Sequence, residues 1–299
     1  MATGSDQTLN ARVILTGASS QIGVFAIPRL VGAGFYVQAI SRKGKPGSWP
    51  DHPNVSWLKP DELHKHGENS RFLLSAGPMD VALQILKNHV HIQTAVVFSS
   101  SSVHIKTESD NRAEKAQMKD MVAVQSKLRL LADERNIKLL ILKPTMIYGC
   151  GLDTNISQLA GWIRRFGFMP INGDAEGLRQ PVHADDLAAV AVDALNSQAE
   201  LPAELFLAGG ETLSYREMVS RIFVALGKPK RPVRLPQWLF VVLARFIGAL
   251  KPGLKINTEM VKRQKMDLVF DDGPARKLLG YQPRPFAPAE SDFSLPRPD

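Results

Sequence analysis

The chain has 299 residues, 44% hydrophobic and 22% charged, with 22 Gly and 20 Pro, a globular composition that excludes disorder, collagen and coiled coil. Lys and Arg number 37 against 29 Asp and Glu, a net charge of +8 that favours anionic small molecules, nucleic acid or a membrane surface; nucleic acid is set aside for want of a helix-turn-helix or an aromatic-studded basic strand pair. No run reaches the length of a membrane span, Met1–Asn10 is polar and unlike a signal peptide, and the lone Cys150 excludes an internal disulfide or thiolate metal site, so a cytoplasmic protein is expected.

From Ala11, short β-rich runs alternate with helix-length segments, which predicts a doubly wound parallel α/β sheet. The runs are Arg12–Leu15, Tyr36–Ile40, Val55–Leu58, Phe72–Leu74, Ala95–Phe98 and Lys138–Leu142. Helices are predicted at about Gln21–Gly32, Met79–Asn88 and Arg112–Arg135, the last carrying Met118, Met121, Val124, Leu128 and Leu131 at helical spacing. Beyond Tyr148-Gly149 the pattern changes to a helix near Asn155–Phe166, a Gly/Pro-rich loop from Gly167 to Pro181 and a helix beginning after His183-Ala184-Asp185. A strand at Glu204–Leu207 could rejoin the sheet. From Thr212 the chain reads as mostly helical, and from Pro283 as an extended Pro-rich tail. These elements divide the chain into a nucleotide-binding domain over 11–165, rejoined by 183–210, a smaller lobe from 166–182 and 211–290, and a tail over 291–299.

The first strand runs into Thr16-Gly17-Ala18-Ser19-Ser20-Gln21-Ile22-Gly23 and then a helix. In that context Gly17 permits a tight turn, Gly23 lets helix and strand approach, and the helix N-terminus faces a pyrophosphate. This segment resembles the Rossmann loop of the short-chain dehydrogenase/reductase superfamily, in particular its extended branch of epimerases and dehydratases. The family loop reads Thr-Gly-x-x-Gly-x-x-Gly, and Ser20 replaces its middle glycine. Cofactor choice is read after the second strand, where Ser41-Arg42-Lys43 offers cations and no acid follows until Asp51. Arg42 suits a 2′-phosphate, so NADP(H) is favoured over NAD(H); the alternative is a solvated basic turn. The resemblance further implies that Asp61 approaches the adenine and that Ser75-Ala76-Gly77 lines the cofactor's path.

The fifth strand leads into Ser99-Ser100-Ser101-Ser102-Val103-His104, similar to the family segment whose hydroxyl holds the substrate oxygen. Counting back from Val103 puts that role on Ser100, with Ser99 on the cofactor side and Ser101 on the substrate side. In the family, a Tyr paired with Lys four residues later transfers the proton. Lys127 stands in a plausible place, but Ala123 precedes it by four, and the residues four beyond Tyr36, Tyr148, Tyr215 and Tyr281 are Ile40, Leu152, Val219 and Pro285. No Tyr-x-x-x-Lys exists in the chain, which narrows the resemblance to atypical members. Lys127 with a lowered pKa, or His104, could act instead; each also reads as a solvated surface residue.

Leu142-Lys143-Pro144-Thr145-Met146-Ile147-Tyr148-Gly149 resembles the family's Arg-Pro-x-x-x-Tyr-Gly segment, which implies that Pro144 and Thr145 pass near the nicotinamide and that Tyr148 is structural. Arg179, before Val182-His183-Ala184-Asp185-Asp186, occupies the family position that clamps a substrate diphosphate. Asp185 and Asp186 read as helix-start residues. No metal is expected: His183 with these aspartates, and the pairs His64/His66 and His89/His91, lack a complete ligand set and the pairs read as surface histidines. The closing Leu279-Gly280-Tyr281-Gln282-Pro283-Arg284 also resembles the family's ending.

The resemblance implies an NADP(H)-dependent epimerase or reductase acting on a nucleotide-linked or lipid-linked sugar; the alternative is a catalytically silent NADP(H)-binding regulatory or assembly protein. A homodimer fits either. The apolar run 238–250, flanked by basic residues, reads as a core helix over the pocket or as a peripheral membrane contact.

Overall fold

The computed structural model describes residues 11–47, 49–63, 70–103, 111–236 and 263–295. His64, His66, His104 and the run 238–250 lie outside the described residues.

In chain order the first half comprises β1 (Arg12–Thr16), α1 (Gly23–Gly32), β2 (Tyr36–Ile40), β3 (Val55–Leu58), β4 (Phe72–Ser75), α2 (Met79–Asn88), β5 (Thr94–Phe98), α3 (Arg112–Arg135) and β6 (Lys138–Pro144). The second half adds β7 (Ile147–Tyr148), α4 (Ile156–Phe166), β8 (Met169–Asn172), β9 (Leu178–Arg179), β10 (Val182–His183), α5 (Ala184–Asn196), β11 (Glu204–Leu207), β12 (Leu213–Ser214), α6 (Tyr215–Ala225), β13 (Pro232–Leu235) and α7 (Gly273–Leu279).

The central sheet has seven strands in the order β11-β6-β5-β4-β1-β2-β3, all parallel. Strand succession runs outward in opposite senses from the neighbouring β1 and β4, through β2 and β3 on one side and β5 and β6 on the other, so the crevice beyond their C-terminal ends is the topological switch point where such sheets bind ligands. Val13, Leu15 and Ala39 face one apolar layer with α1 and α5, whereas Ile14, Leu73 and Val97 face the other with α2 and α3. Both faces are covered, which is why these strands are apolar without alternation. A third core, built from Tyr148, Ile156, Ile163, Ile171, Met218, Phe223 and Phe286, lies apart from these two layers.

Local chemistry sets the helix ends. Asn111 caps α3 by accepting from the amides of Ala113 and Glu114, at 3.0 and 3.3 Å, and Asn136 ends it in the left-handed region at φ 54°. α1 begins at Gly23, two residues later than the spacing predicts, because Gly17–Ile22 are taken up by the turn leaving β1.

Three expectations need correction. The segment 167–181 is not merely a loop: it carries β8, paired with β13, and β9, paired with β12. Short two-stranded pairs of this kind have too few residues to show a period-2 signal. His89 is not a surface histidine, being 8% exposed at the end of α2. Nor is the Pro-rich end an extended tail. Tyr281 donates to the carbonyl of Ala208 at 2.7 Å, Phe286 is fully buried and Phe293 packs into the third core.

The same end of the chain is tied down by charge. Arg284 pairs with Asp185 at 2.8 Å and Asp186 at 2.7 Å, and Arg29 pairs with Asp185 at 2.7 Å. These aspartates therefore brace arginines. They stand, as expected, in the first turn of α5, whose N-cap is His183, its Nδ1 accepting from the Asp185 amide at 3.1 Å. Burial alone would raise the Asp185 pKa, but hydrogen bonds from Arg29 and Arg284 outweigh it and lower it. A depressed carboxylate stabilises the fold fully above its unfolded pKa of about 3.9 and loses that contribution as pH falls through the folded value. Denaturant titrations at neutral and acid pH should therefore show wild type losing more stability on acidification than Asp185→Asn; parallel losses would remove the network from the account.

Candidate functional site

The loop after β1 has little freedom. Gly17 has φ +65°, and a Cβ there would stand 2.6 Å from the Ala76 carbonyl and the Gly77 nitrogen. A Cβ on Gly23 would stand 2.1 Å from the Gly17 carbonyl oxygen. Both glycines are thus required by close backbone approach, as the motif implies. Gly23→Ala should push α1 off the loop, lowering the thermal midpoint and abolishing dinucleotide binding together; an unaltered variant in both assays would contradict this packing.

Ser20, in place of the family's middle glycine, folds its side chain back: Oγ accepts from the Gly23 amide at 3.2 Å. The hydroxyl thus serves as a local cap. The amides of Gln21 and Ile22 have no acceptor among the described residues, and they stand at the N-terminus of α1, where an anion is favoured. Thr16 and Ser75 hydroxyls meet at 2.8 Å, joining the ends of β1 and β4, and Ser19 and Ser41 hydroxyls meet at 3.3 Å, joining the loop to the end of β2. Arg42, Lys43 and Asp61 are exposed beyond β2 and β3. Loop, free amides and adjacent cations fit a nicotinamide dinucleotide along the C-terminal edge of the sheet.

The serine run continues that edge. Ser99 and Ser101 amides bond the carbonyls of Leu142 and Pro144, at 2.8 and 3.1 Å, extending the pairing of β5 with β6. Ser100 and Ser102 hydroxyls meet at 2.6 Å. Ser99 is reached from α3, but by Gln125, whose Nε2 donates to its Oγ at 2.5 Å. Sequence reasoning missed Gln125; the available signal was a polar residue on the buried stripe of Met118 and Leu128. Lys127 and Ala123 are both exposed, and Lys127 makes no hydrogen bond or ion pair among the described residues.

Beside the serines opens a cavity of about 220 Å³ lined by Ser100, Ser102, Asn155, Arg179, Tyr215 and Arg263, among others. Arg179 is 2% exposed, and burial pushes its pKa down to about 10. Its Nη1 donates to the carbonyls of Leu178 and Met266, each at 2.7 Å, and its Nη2 to that of Arg263. Its Nε is buried with no partner. The guanidinium, lying 5.6 Å from the Tyr215 ring centroid, therefore reinforces the wall with no carboxylate pairing it among the described residues. Arg263 pairs with Glu114 of α3.

Tyr215, in the cavity lining, and Tyr148 are held as neutral phenols. Burial raises the pKa of Tyr215 to about 12 and that of Tyr148 further still. Tyr148 is enclosed between His183, 5.0 Å away, and Phe286, 4.9 Å away. Lys143, where the family has Arg, is 3% exposed with Nζ 2.8 Å from Glu204, a brace between β6 and β11. Thr145 donates to the Gln180 carbonyl. No cluster of three metal-ligating side chains occurs among the described residues, and no described helix is long and apolar enough to cross a membrane.

No family model matches the chain. It is 22% identical over 218 residues to a UDP-glucose 4-epimerase of Vibrio cholerae, covering 70% of this chain and 63% of that protein. It is 24% identical to a 2'-dehydrokanamycin reductase of Streptomyces kanamyceticus, over 91% of this chain and 80% of that protein. Among solved structures, a UDP-glucuronic acid 4-epimerase from Bacillus cereus, in complex with a fluorinated UDP-glucuronic acid and NAD, superposes with a TM-score of 0.68 at 15% identity, covering 94% of this chain and 96% of that one. MoeE5 in complex with UDP-glucuronic acid and NAD gives 0.67 at 18%, covering 92% and 94%. With its seven-stranded parallel sheet and glycine-bounded loop, the chain has the doubly wound fold of these solved structures and is similar in sequence to an epimerase and a reductase.

Proposed function

We propose that the protein is an NADP(H)-dependent epimerase or reductase acting on a nucleotide-linked or lipid-linked sugar. The observation that carries this reading is the juxtaposition of the serine run, at the C-terminal edge of the sheet, with a cavity lined by two arginines, Arg179 and Arg263. A dinucleotide held by the amides after Gly17, with Arg42 and Lys43 at its 2′-phosphate, would supply or accept the hydride. Ser100 would hold the reacting sugar oxygen, and Gln125 would fix Ser99 beside it. Arg263, released from Glu114, would meet the substrate's anionic portion; Arg179 would contribute positive potential from the cavity wall, its Nη groups being engaged. The proton would pass through Lys127 or His104, since no tyrosine precedes a lysine by four.

The test is a panel of sugar nucleotides with NADPH and NADP⁺. Turnover on at least one, slowed about a hundredfold or more in Ser100→Ala, is expected for a hydroxyl that positions the reacting oxygen. Ser100→Ala turning over at the wild-type rate would remove that residue from the mechanism.

A second reading is favoured by one observation, the exposure of both Ala123 and Lys127 on α3: a cofactor-binding regulatory or assembly protein without chemistry. Cofactor binding without turnover across the panel supports it over the first, and a partner whose affinity differs between NADPH and NADP⁺ would establish it.

A further inference from the structure

One rim of the smaller lobe combines unpaired cations with protruding apolar side chains. α4 ends in Arg164, Arg165 and Phe166, turns at Gly167 and continues through Phe168 into β8. The Met169 amide bonds the Arg231 carbonyl at 3.0 Å, bringing the segment before β13 against this turn. That segment leaves α6 at Val224, with the amides of Gly227 and Lys228 bonded to the carbonyls of Val224 and Phe223. The ends of α4 and α6 and the start of β13 thus form a continuous edge.

Its apolar members are exposed: Phe166 by 46%, Val224 by 60% and Val233 by 41%. Phe166 is held by Trp162, with ring centroids 4.4 Å apart, and Arg165 lies 5.3 Å from its ring. Arg165, Lys228, Lys230 and Arg231 are exposed and have no carboxylate partner among the described residues. Among the described residues, Arg164 pairs with Glu290 and Arg234 with Asp174. No acidic residue occurs in 156–168 or 222–236.

We propose that this rim is a docking surface for an anionic lipid bilayer. Exposed aromatic and aliphatic side chains enter the headgroup boundary while neighbouring cations meet lipid phosphates, the two contributions on which interfacial binding depends. Lys and Arg can lay their stems along the apolar surface and keep their charges in the headgroup layer. Val224 and Val233 distinguish the partner from nucleic acid, because an aliphatic side chain offers no stacking face to a base. The surface uses neither the cofactor loop nor the cavity, so it stands or falls independently of the enzymatic reading.

The test is co-sedimentation of the full chain with vesicles of phosphatidylcholine containing about one third phosphatidylglycerol, and with phosphatidylcholine alone. Binding should require the anionic lipid and weaken as salt rises. With about fivefold contributed per basic residue at the surface, Lys228→Glu/Lys230→Glu/Arg231→Glu should reduce partitioning by at least about a hundredfold. Lys115→Glu/Lys119→Glu/Lys138→Glu makes the same change in net charge elsewhere and should retain wild-type partitioning. Phe166→Ser/Val224→Ser should weaken binding while leaving all cations in place, which tests the surface even if the charge-reversed variant fails to fold. Equal loss in both charge variants would reduce the effect to net charge and overturn the proposal. So would wild-type protein that stays in the supernatant, or that binds random-sequence duplex DNA and not vesicles.

Discussion

Arg42→Ala should weaken NADPH binding by roughly 10- to 150-fold while leaving NADH affinity nearly unchanged. A charge-assisted contact to the 2′-phosphate contributes about 1.5–3 kcal/mol, and the side chain that would make it is exposed beyond the β2 edge. The solved structural neighbours described above hold NAD, so a preference for NADP(H) would have to come from this chain's own Ser41-Arg42-Lys43 turn. Calorimetric titration of wild type should show NADPH at least about tenfold tighter than NADH, with salt weakening the former more. Equal affinities in wild type would make the turn a solvated loop and withdraw the assignment to NADP(H).

Phe286→Ala should lower stability by about 3–5 kcal/mol, the range for deleting a buried aromatic side chain. Phe286 is fully buried, packs at 4.9 Å against Tyr148, and its backbone is held on both sides: the amide by Glu211 at 2.6 Å, the carbonyl by Arg221 at 2.8 Å. For a chain of this size the expected drop in thermal midpoint is on the order of 10 °C. Cofactor selectivity should be unchanged in the surviving folded fraction, because Phe286 is in the third core and not at the loop. A drop below about 2 °C would mean that the chain end contributes little to the fold.

How legible the molecule is in its sequence depends on where local chemistry decides. The strands Tyr36–Ile40, Val55–Leu58 and Glu204–Leu207, and the helices Met79–Asn88 and Arg112–Arg135, coincide with the sequence expectation, because short β-rich runs between turn residues and a helix with an Asn at each end announce themselves. The glycine loop was legible for a similar reason: Gly17 and Gly23 occupy sites that admit no Cβ.

What escaped was long-range. β8 and β9 are defined by partners 34 or more residues distant, a separation no local pattern encodes. The Pro-rich end gives no helical or strand period, yet Arg284 finds Asp185 and Asp186 across 98 or 99 residues. Arg179 illustrates the limit of a motif: the position matches, but the carbonyls that take up its Nη groups come partly from residues 263 and 266. Gln125 shows the converse, a position the family pattern leaves unremarked that reaches the serine run.

The most direct measurement of the central claim is the fate of deuterium carried at C4 of NADPH when the protein is given a keto-sugar nucleotide under single-turnover conditions. Hydride transfer places that deuterium on carbon of the sugar, where mass spectrometry of the isolated product would find it, and the label should fail to move in Ser100→Ala. A reduced sugar without deuterium from either face of the labelled nicotinamide, or a sugar recovered unreduced with all label still on the cofactor despite tight binding of both, would contradict the claim that this edge of the sheet performs hydride transfer.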